Sequence, residues 1–190
     1  MCGRYIANSE DEIMEIREIL KQISLRLADT EMPSALTEVF PTDDVVMINK
    51  AFGFTKAKFG LEKWDKKGII INARSETYEN NFFRQFAGNR CIIPAHGYYE
   101  WRKLPDKTKV KYIFSNDRDS GKHGIFMAAI HDKDSRFAVI TRPAVSEIEF
   151  IHPRMPVLIR AEQAEDWLSG KADVRELAEQ HYRLVCEEAV

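Results

Sequence analysis

The chain contains no apolar run long enough to span a bilayer. Its first residues hold no signal-peptide core either, because Asn8-Ser9-Glu10-Asp11-Glu12 interrupts them with polar and acidic groups. A membrane partner is therefore not expected, and the expected location is cytoplasmic, or nucleoid-associated in a bacterial source. Cysteine is scarce. Cys2, Cys91 and Cys186 are odd in number and far apart, which argues against a disulfide framework and for a reducing compartment; Cys91 and Cys186 read as core fillers. No CxxC or HxxxH pair occurs, so neither a metal centre nor a cofactor is expected. Internal repeats, low-complexity tracts and interdomain linkers are also missing, leaving one domain over residues 1–190. With 44% hydrophobic and 31% charged residues, that domain has the composition of a soluble globular protein with a real core. No coiled-coil or exposed apolar stripe is evident, so a monomer is expected.

The formal net charge of −2 conceals an uneven distribution. Residues 1–49 carry 4 basic and 10 acidic side chains, residues 50–111 carry 14 and 6, and residues 112–190 carry 10 and 14. A basic middle in an acidic chain points to a local anion-binding face, not a generally adhesive polycation. The cluster Lys63-Trp64-Asp65-Lys66-Lys67 reads equally well as a solvated loop.

Hydrophobic periodicity and punctuation give a coarse map. Ser9 with Glu12 forms a capping box before a helix over 10–27. An extended stretch with a turn is expected at 39–42, and strands over 45–48 and 52–59. Ile69-Ile70-Ile71 reads as a buried strand delivering Asn72-Ala73-Arg74-Ser75-Glu76-Thr77 at its end, followed by a helix over 78–86. Further strands are expected over 90–94, stopped by Pro94, and over 97–101, 110–114, 125–130, 137–141, 157–159 and 182–186. A second capping box, Ser146 with Glu149, suggests a short helix before an irregular bridge over 151–156. Helices are expected over 161–168, ended by Gly170, and over 174–179. The pattern is α+β: a mixed, largely antiparallel sheet curled into a pseudo-barrel with flanking helices.

Four stretches carry more chemistry than structure requires. Met1-Cys2-Gly3-Arg4-Tyr5 comes first. A small second residue lets methionine aminopeptidase remove Met1, so the mature chain is expected to begin with cysteine. A terminal cysteine holds an α-amine, with a pKa of about 7.7–8.0, beside a thiol of about 8.5, and both are partly nucleophilic near neutral pH. The amine condenses with an aldehyde to an imine, and the thiol then closes a five-membered thiazolidine. Gly3 permits close backbone approach. The second stretch is the polar run after the three isoleucines. The third is Gly97-Tyr98-Tyr99-Glu100-Trp101, where bulky aromatics flank a carboxyl group whose pKa desolvation would raise, as suits a general acid or base. The fourth is His152-Pro153-Arg154-Met155-Pro156, an imidazole and a guanidinium in a proline-rigid turn.

Together these stretches resemble the SRAP family, the SOS-response-associated peptidases also described as abasic-site processing proteins, and the resemblance runs over essentially the whole chain. It implies the SRAP fold and a mature Cys2 that captures the aldehyde of an abasic site in single-stranded DNA as a thiazolidine crosslink. It also implies pocket roles for Asn72, Glu100 and His152. Asn72 can accept from the α-amine and aim its lone pair; Glu100 and His152 can move the protons that sugar-ring opening and imine formation require. Arg4, Arg74 and Arg154 are candidate phosphate ligands, and Trp101 offers a face for base stacking. Pro41 and Thr141 line the same groove by family position. The imine also acidifies the sugar C2 protons, so β-elimination of the strand is an allowed second outcome, and the family name implies peptidase action on its own N-terminus. No independent peptidase triad is evident. Three positions depart from the family's usual pattern. Phe52 replaces a tryptophan and Tyr98 a phenylalanine, both matters of packing, while Pro153 follows His152 where Asp or Asn is usual, which bears on the hydrogen bonding of the imidazole.

Two other readings compete. Glutamine amidotransferases of the N-terminal-nucleophile class also begin Cys-Gly, but they supply an Asn-Gly oxyanion element, and this chain has no Asn-Gly pair. A non-covalent single-stranded DNA-binding module would bind reversibly with salt and leave no stable adduct.

Overall fold

A computed structural model of the chain describes residues 2–9, 11, 12, 14, 16, 37–50, 53–79, 81–116 and 124–189. Two sheets carry most of them. The first is antiparallel, in the order β15 (Val185–Glu188), β10 (Lys109–Ser115), β9 (Gly97–Lys103), β1 (Arg4–Ile6) and β2 (Glu38–Val39). Gly97 is required in it, because a Cβ there would lie 2.6 Å from the Phe114 carbonyl oxygen.

The second sheet is built on β3 (Asp44–Asn49), β4 (Gly53–Phe59), β8 (Arg90–Ala95), β11 (Ile125–His131) and β12 (Arg136–Pro143). Their pairings run β12–β4–β3–β8–β11 and return from β11 to β12, which makes a ring. The ring is not a true barrel. The parallel pairing of β12 with β4 covers only Arg136 and Phe137. Beyond it, the short β7 (Asn72–Arg74) takes over the same edge of β12, opposite Val139 to Thr141. On the other edge, β12 leaves β11 after Val139 and the gap is filled by β13 (Arg154–Pro156) and β14 (Leu158–Ile159). Fully buried Val157 stitches this wedge, donating to the Ile140 carbonyl at 2.8 Å and accepting from the Ala128 amide at 2.9 Å. The two inserts bring the polar run after Ile71 and the His152 turn to the same end of β12. A small hairpin of β5 (Leu61–Glu62) and β6 (Ile69–Ile70) completes the strands described.

One core cluster fills the space around the ring and the first sheet, with Phe59 stacked on Phe137 at 5.0 Å and Tyr98 on Phe114 at 4.8 Å. The other lies beneath the helices Ala164–Ser169 and Val174–Glu179 and includes Phe54, Ile92, Ala128 and Trp167. Because β11 is covered on both faces, it is apolar at nearly every position and does not alternate.

The α+β class and most strands agree with the sequence reading, and the differences have local causes. Of the helix expected over 10–27, Asp11, Glu12, Met14 and Ile16 are helical and the remainder lies outside the described residues, as does Phe52. Its capping box is present, with Glu12 N–H donating to Ser9 Oγ at 3.3 Å and Ser9 N–H to Glu12 Oε2 at 2.9 Å. The three isoleucines do not form one buried strand: Ile69 and Ile70 pair with β5, Ile71 lies between β6 and β7 with its carbonyl accepting from Val139 N–H at 3.0 Å, and all three are half-buried. Residues 75–79 are a turn, and Asn81–Phe86 is a 3-10 helix. Pro94 does not stop β8, which continues to Ala95; β3 pairs with β8 only at Cys91 and Ile92, so no ladder bond misses the proline N–H. Ser146 caps no helix. Its hydroxyl meets Glu147 instead of Glu149, and 146–151 remains a turn. The bridge over 151–156 is in part strand, since Arg154–Pro156 pairs with β12, and the last strand begins at Val185, later than expected.

Trp167 joins the helical layer to the ring. It is fully buried, and its indole N–H donates to the Cys91 carbonyl at 2.9 Å, while Arg90 lies 4.5 Å above its ring. Trp167→Phe keeps most of the packing but strands that carbonyl. It should lower stability by about 1–3 kcal/mol, read as a lower urea midpoint with unchanged slope.

Candidate active site at the N-terminus

The alternation of β9 sorts its side chains to two faces. Tyr98 and Glu100 turn inward and are buried, while Tyr99 and Trp101 turn outward and are half-buried. Glu100 thus lies beneath the surface, at 3% exposure. Burial pushes its carboxyl pKa up, and the neighbouring His152 opposes part of that shift. His152 Nδ1 is 3.8 Å from Glu100 Oε1. The same nitrogen is 3.1 Å from both the amide nitrogen and the carbonyl oxygen of Arg154. An amide N–H can only donate, so the neutral ring accepts there and carries its proton on Nε2. A ring protonated on Nδ1 would instead face the Arg154 carbonyl and Glu100. Pro153 does not disturb this arrangement. It has no N–H to place, and its carbonyl accepts from Ala144 at 3.0 Å.

Cys2 is fully buried, and burial, with Glu100 adding to it, pushes the thiol pKa well up. Asn72, at the start of β7, donates from Nδ2 to the Cys2 carbonyl at 3.0 Å. Its Oδ1 is buried and has no hydrogen-bond partner among the described residues. The four expected pocket residues therefore converge from four separate segments: the N-terminus, β7, β9 and the turn before β13.

The expected phosphate ligands are not alike. Arg154 grips Glu76 with both terminal nitrogens, at 2.5 and 3.0 Å, and also donates to the Thr141 carbonyl at 2.6 Å. Thr141 is fully buried, and its hydroxyl donates to the Ala73 carbonyl at 3.3 Å. Thr141 and Arg154 thus brace β7, β12 and β13 against one another. Arg74, in β7 opposite Thr141, is exposed. Arg4 lies on the outer face of the first sheet, its guanidinium 4.5 Å from the Phe40 ring and 5.1 Å from Trp101. Pro41 follows Phe40 in a tight turn closed by Asp43 N–H to the Phe40 carbonyl at 3.1 Å, with Thr42 at φ 83°. A β-branched residue in that conformation is strained, and the strain is held beside the site.

Three neighbours of this face escaped the sequence reading. Lys111 pairs across the ladder from Trp101 and sets its ammonium 3.8 Å from the Tyr99 ring. Glu38 binds Lys111 at 3.0 Å and Arg4 at 3.4 Å, holding both cations. Glu76 is the partner that engages Arg154. The register of the Pro105-Asp106 hairpin was the one available signal for Lys111; Glu38 and Glu76 gave none, because their partners are distant in sequence. Trp64, in the basic loop, is 75% exposed and packs edge-on to Phe82 at 5.9 Å. Among the described residues, no group of three or more His, Cys, Asp or Glu could hold a metal ion.

The family model for SOS response associated peptidase (SRAP) matches residues 1–188. The chain belongs to the SRAP family. It is 32% identical to the abasic site processing protein YedK of Escherichia coli, over 94% of this chain and 84% of that one. It is 29% identical to the abasic site processing protein YoqW of Bacillus subtilis, over 90% and 81%. Among solved structures, a phage-related protein from Bordetella bronchiseptica superposes with a TM-score of 0.75 at 21% identity, covering 99% of this chain and 94% of that one. A protein from Bacteroides thetaiotaomicron superposes with a TM-score of 0.74 at 22% identity, covering 98% and 91%. These two likenesses show that the same fold occurs in both proteins.

Within this SRAP chain, the Arg154 contact lowers the Glu76 pKa to about 2. A lowered carboxylate stabilises the fold above its unfolded pKa, about 4.3, and loses that contribution as pH falls through the folded value. Glu76 is 46% exposed, so solvent screening keeps the effect modest. Urea midpoints measured between pH 5 and pH 2 should fall less steeply for Glu76→Gln than for the parent chain.

Proposed function

We propose that, once Met1 is removed, the chain senses abasic sites in single-stranded DNA and captures them covalently through Cys2. The observation that carries this reading is the Asn72 amide, which binds the Cys2 carbonyl with one end and leaves a buried acceptor, Oδ1, beside the terminal residue. An α-amine donating to that oxygen would have its lone pair held in a fixed direction. The relatives YedK of Escherichia coli and YoqW of Bacillus subtilis, both named as abasic site processing proteins, support the same reading.

The buried thiol is held in its neutral form, so the amine acts first. An abasic sugar is mainly a closed hemiacetal. Glu100, whose burial favours the protonated carboxyl, gives its proton to the ring oxygen as the C1–O bond breaks and takes up the C1 hydroxyl proton as the aldehyde forms. The amine nitrogen adds to the aldehyde carbon, and the carbinolamine hydroxyl, protonated by Glu100, leaves as water to give an iminium. The thiol sulfur then bonds to that carbon, its proton leaving to a nearby base, and the C=N electron pair returns to nitrogen. His152, 3.8 Å from Glu100, is placed to relay protons between the pocket and solvent. If a C2 proton is removed from the iminium before the thiol closes, the 3′ phosphate departs and the strand is cut, which is the lyase outcome. Arg74 and Arg4 are suited to phosphates, and Trp101 to a neighbouring base. All these residues belong to one chain, so a monomer suffices, acting in the cytoplasm or on the nucleoid where its DNA is.

Cys2→Ser separates the two nucleophiles. It should still form an imine that borohydride traps on an abasic oligonucleotide, yet give no heat-stable adduct without reduction. Intact mass should locate the parent adduct at residue 2 of a chain lacking Met1; an adduct elsewhere would sink the proposal. Capture by the parent should follow a bell-shaped pH profile, rising as the amine loses its proton and falling as Glu100 loses its own. Glu100→Gln should slow capture by about 10²–10⁴-fold and remove the descending limb.

A further inference from the structure

Four large hydrophobic side chains stand exposed among the described residues: Met14, Phe40, Trp64 and Phe150. Phe40 belongs to the platform around Arg4, and Trp64 to the basic loop. Phe150 is 58% exposed and belongs to neither. The guanidinium of Arg102 lies 5.1 Å from the centre of its ring. Arg102 is two residues beyond Glu100 on β9, and so on the same side of the strand. Phe150 is two residues before His152. Since Glu100 and His152 approach to 3.8 Å, the Arg102–Phe150 pair forms a lip beside them, on the opposite side of β9 from Trp101.

The turn that carries Phe150 is tied down. Ile148 and Glu149 donate to the Val145 carbonyl at 3.1 and 3.0 Å, and Ile151 donates to Ile148 at 3.0 Å. Ile151 is 5% exposed and anchors the turn in the core. The ring is therefore held in place while its surface remains open, so a planar ligand could stack on it at little ordering cost. A flat aromatic surface with a cation beside it matches a nucleobase attached to a phosphate.

We propose that Phe150, backed by Arg102, is a second base-stacking site, which takes the base flanking the abasic sugar on the side of the pocket away from Trp101. This rests on the reading that the chain engages abasic single-stranded DNA. It adds a specificity element: two stacking surfaces, one on each side of the gap where a base is missing, favour a lesion whose neighbours are large purines.

The test uses fluorescence anisotropy with an oligonucleotide carrying one tetrahydrofuran lesion, which has no aldehyde and so reports binding without capture. With purines on both sides of the lesion, Phe150→Ala should bind about 5- to 150-fold more weakly than the parent, and Phe150→Trp should bind at least as well as the parent. When both flanking bases are replaced by abasic spacers, parent and Phe150→Ala should bind alike. Equal binding of the two on purine-flanked DNA would overturn the inference, as would a loss in Phe150→Ala that persists on spacer-flanked DNA. A parallel reaction with an aldehyde-bearing oligonucleotide keeps the two proposals apart. If the parent makes no Cys2 adduct, the covalent reading fails, and the anisotropy comparison still decides the stacking site.

Discussion

The hydrogen bond from the Asn72 side chain to the Cys2 carbonyl spans 70 positions of sequence, and the arrangement of the site turns on it. A chain terminus is ordinarily among the least ordered parts of a protein. Here the residue after Met1 is buried, β1 behind it is paired on both edges, and Asn72 grips its carbonyl. Asn72 is in turn placed by β7, which pairs with β12 only because β4 has already left that edge. The incomplete closure of the ring is thus what lets an internal strand reach the start of the chain. The wedge at Val157 does the same on the other edge, bringing His152 to the same end.

This geometry places a carboxyl group and a thiol where water does not solvate them. Burying ionisable groups costs free energy unless they stay neutral or find partners, and burial raises the pKa of both groups. The fold gives up stability to hold a carboxyl group whose burial raises its pKa. Its compensation is the tightly packed interior nearby, with Tyr98 stacked on Phe114 and Phe59 on Phe137. The Arg154–Glu76–Thr141 brace is the polar counterpart, fixing the three strand ends that carry Asn72 and the His152 turn.

Much of this was legible in the sequence, and the limits have physical causes. The α+β class, the longer strands β3, β4 and β8 to β12, and the helix at 174–179 follow from local patterning. Cys2, Asn72, Glu100 and His152 could be named because each occupies a locally unusual setting: a terminus, a strand end, an aromatic cluster and a proline-bounded turn. What patterning could not supply is long-range pairing. The ring closure, the half-burial of Ile69 to Ile71 and the strand at Arg154 depend on which segments lie side by side. For the same reason the contact of Arg154 with Glu76, 78 positions away, could not be foreseen. Ser146 shows the opposite error: a local signal for a helix that continues no further than one turn, because the chain must swing back to pair with β12.

Glu38 gives the outer face an unusual electrostatic character. By clasping Lys111 and Arg4 together, it acts as a built-in counterion for a pair of cations stacked on aromatic rings. Any phosphate drawn to either cation must exchange with a carboxylate tethered to the protein, and a tethered ion gains none of the mixing entropy that a released sodium ion gains. Association at this face would therefore depend less on ionic strength than the number of its lysines and arginines implies. Intact, ordinary strands would gain little there by charge alone, which leaves shape and stacking to decide what is retained.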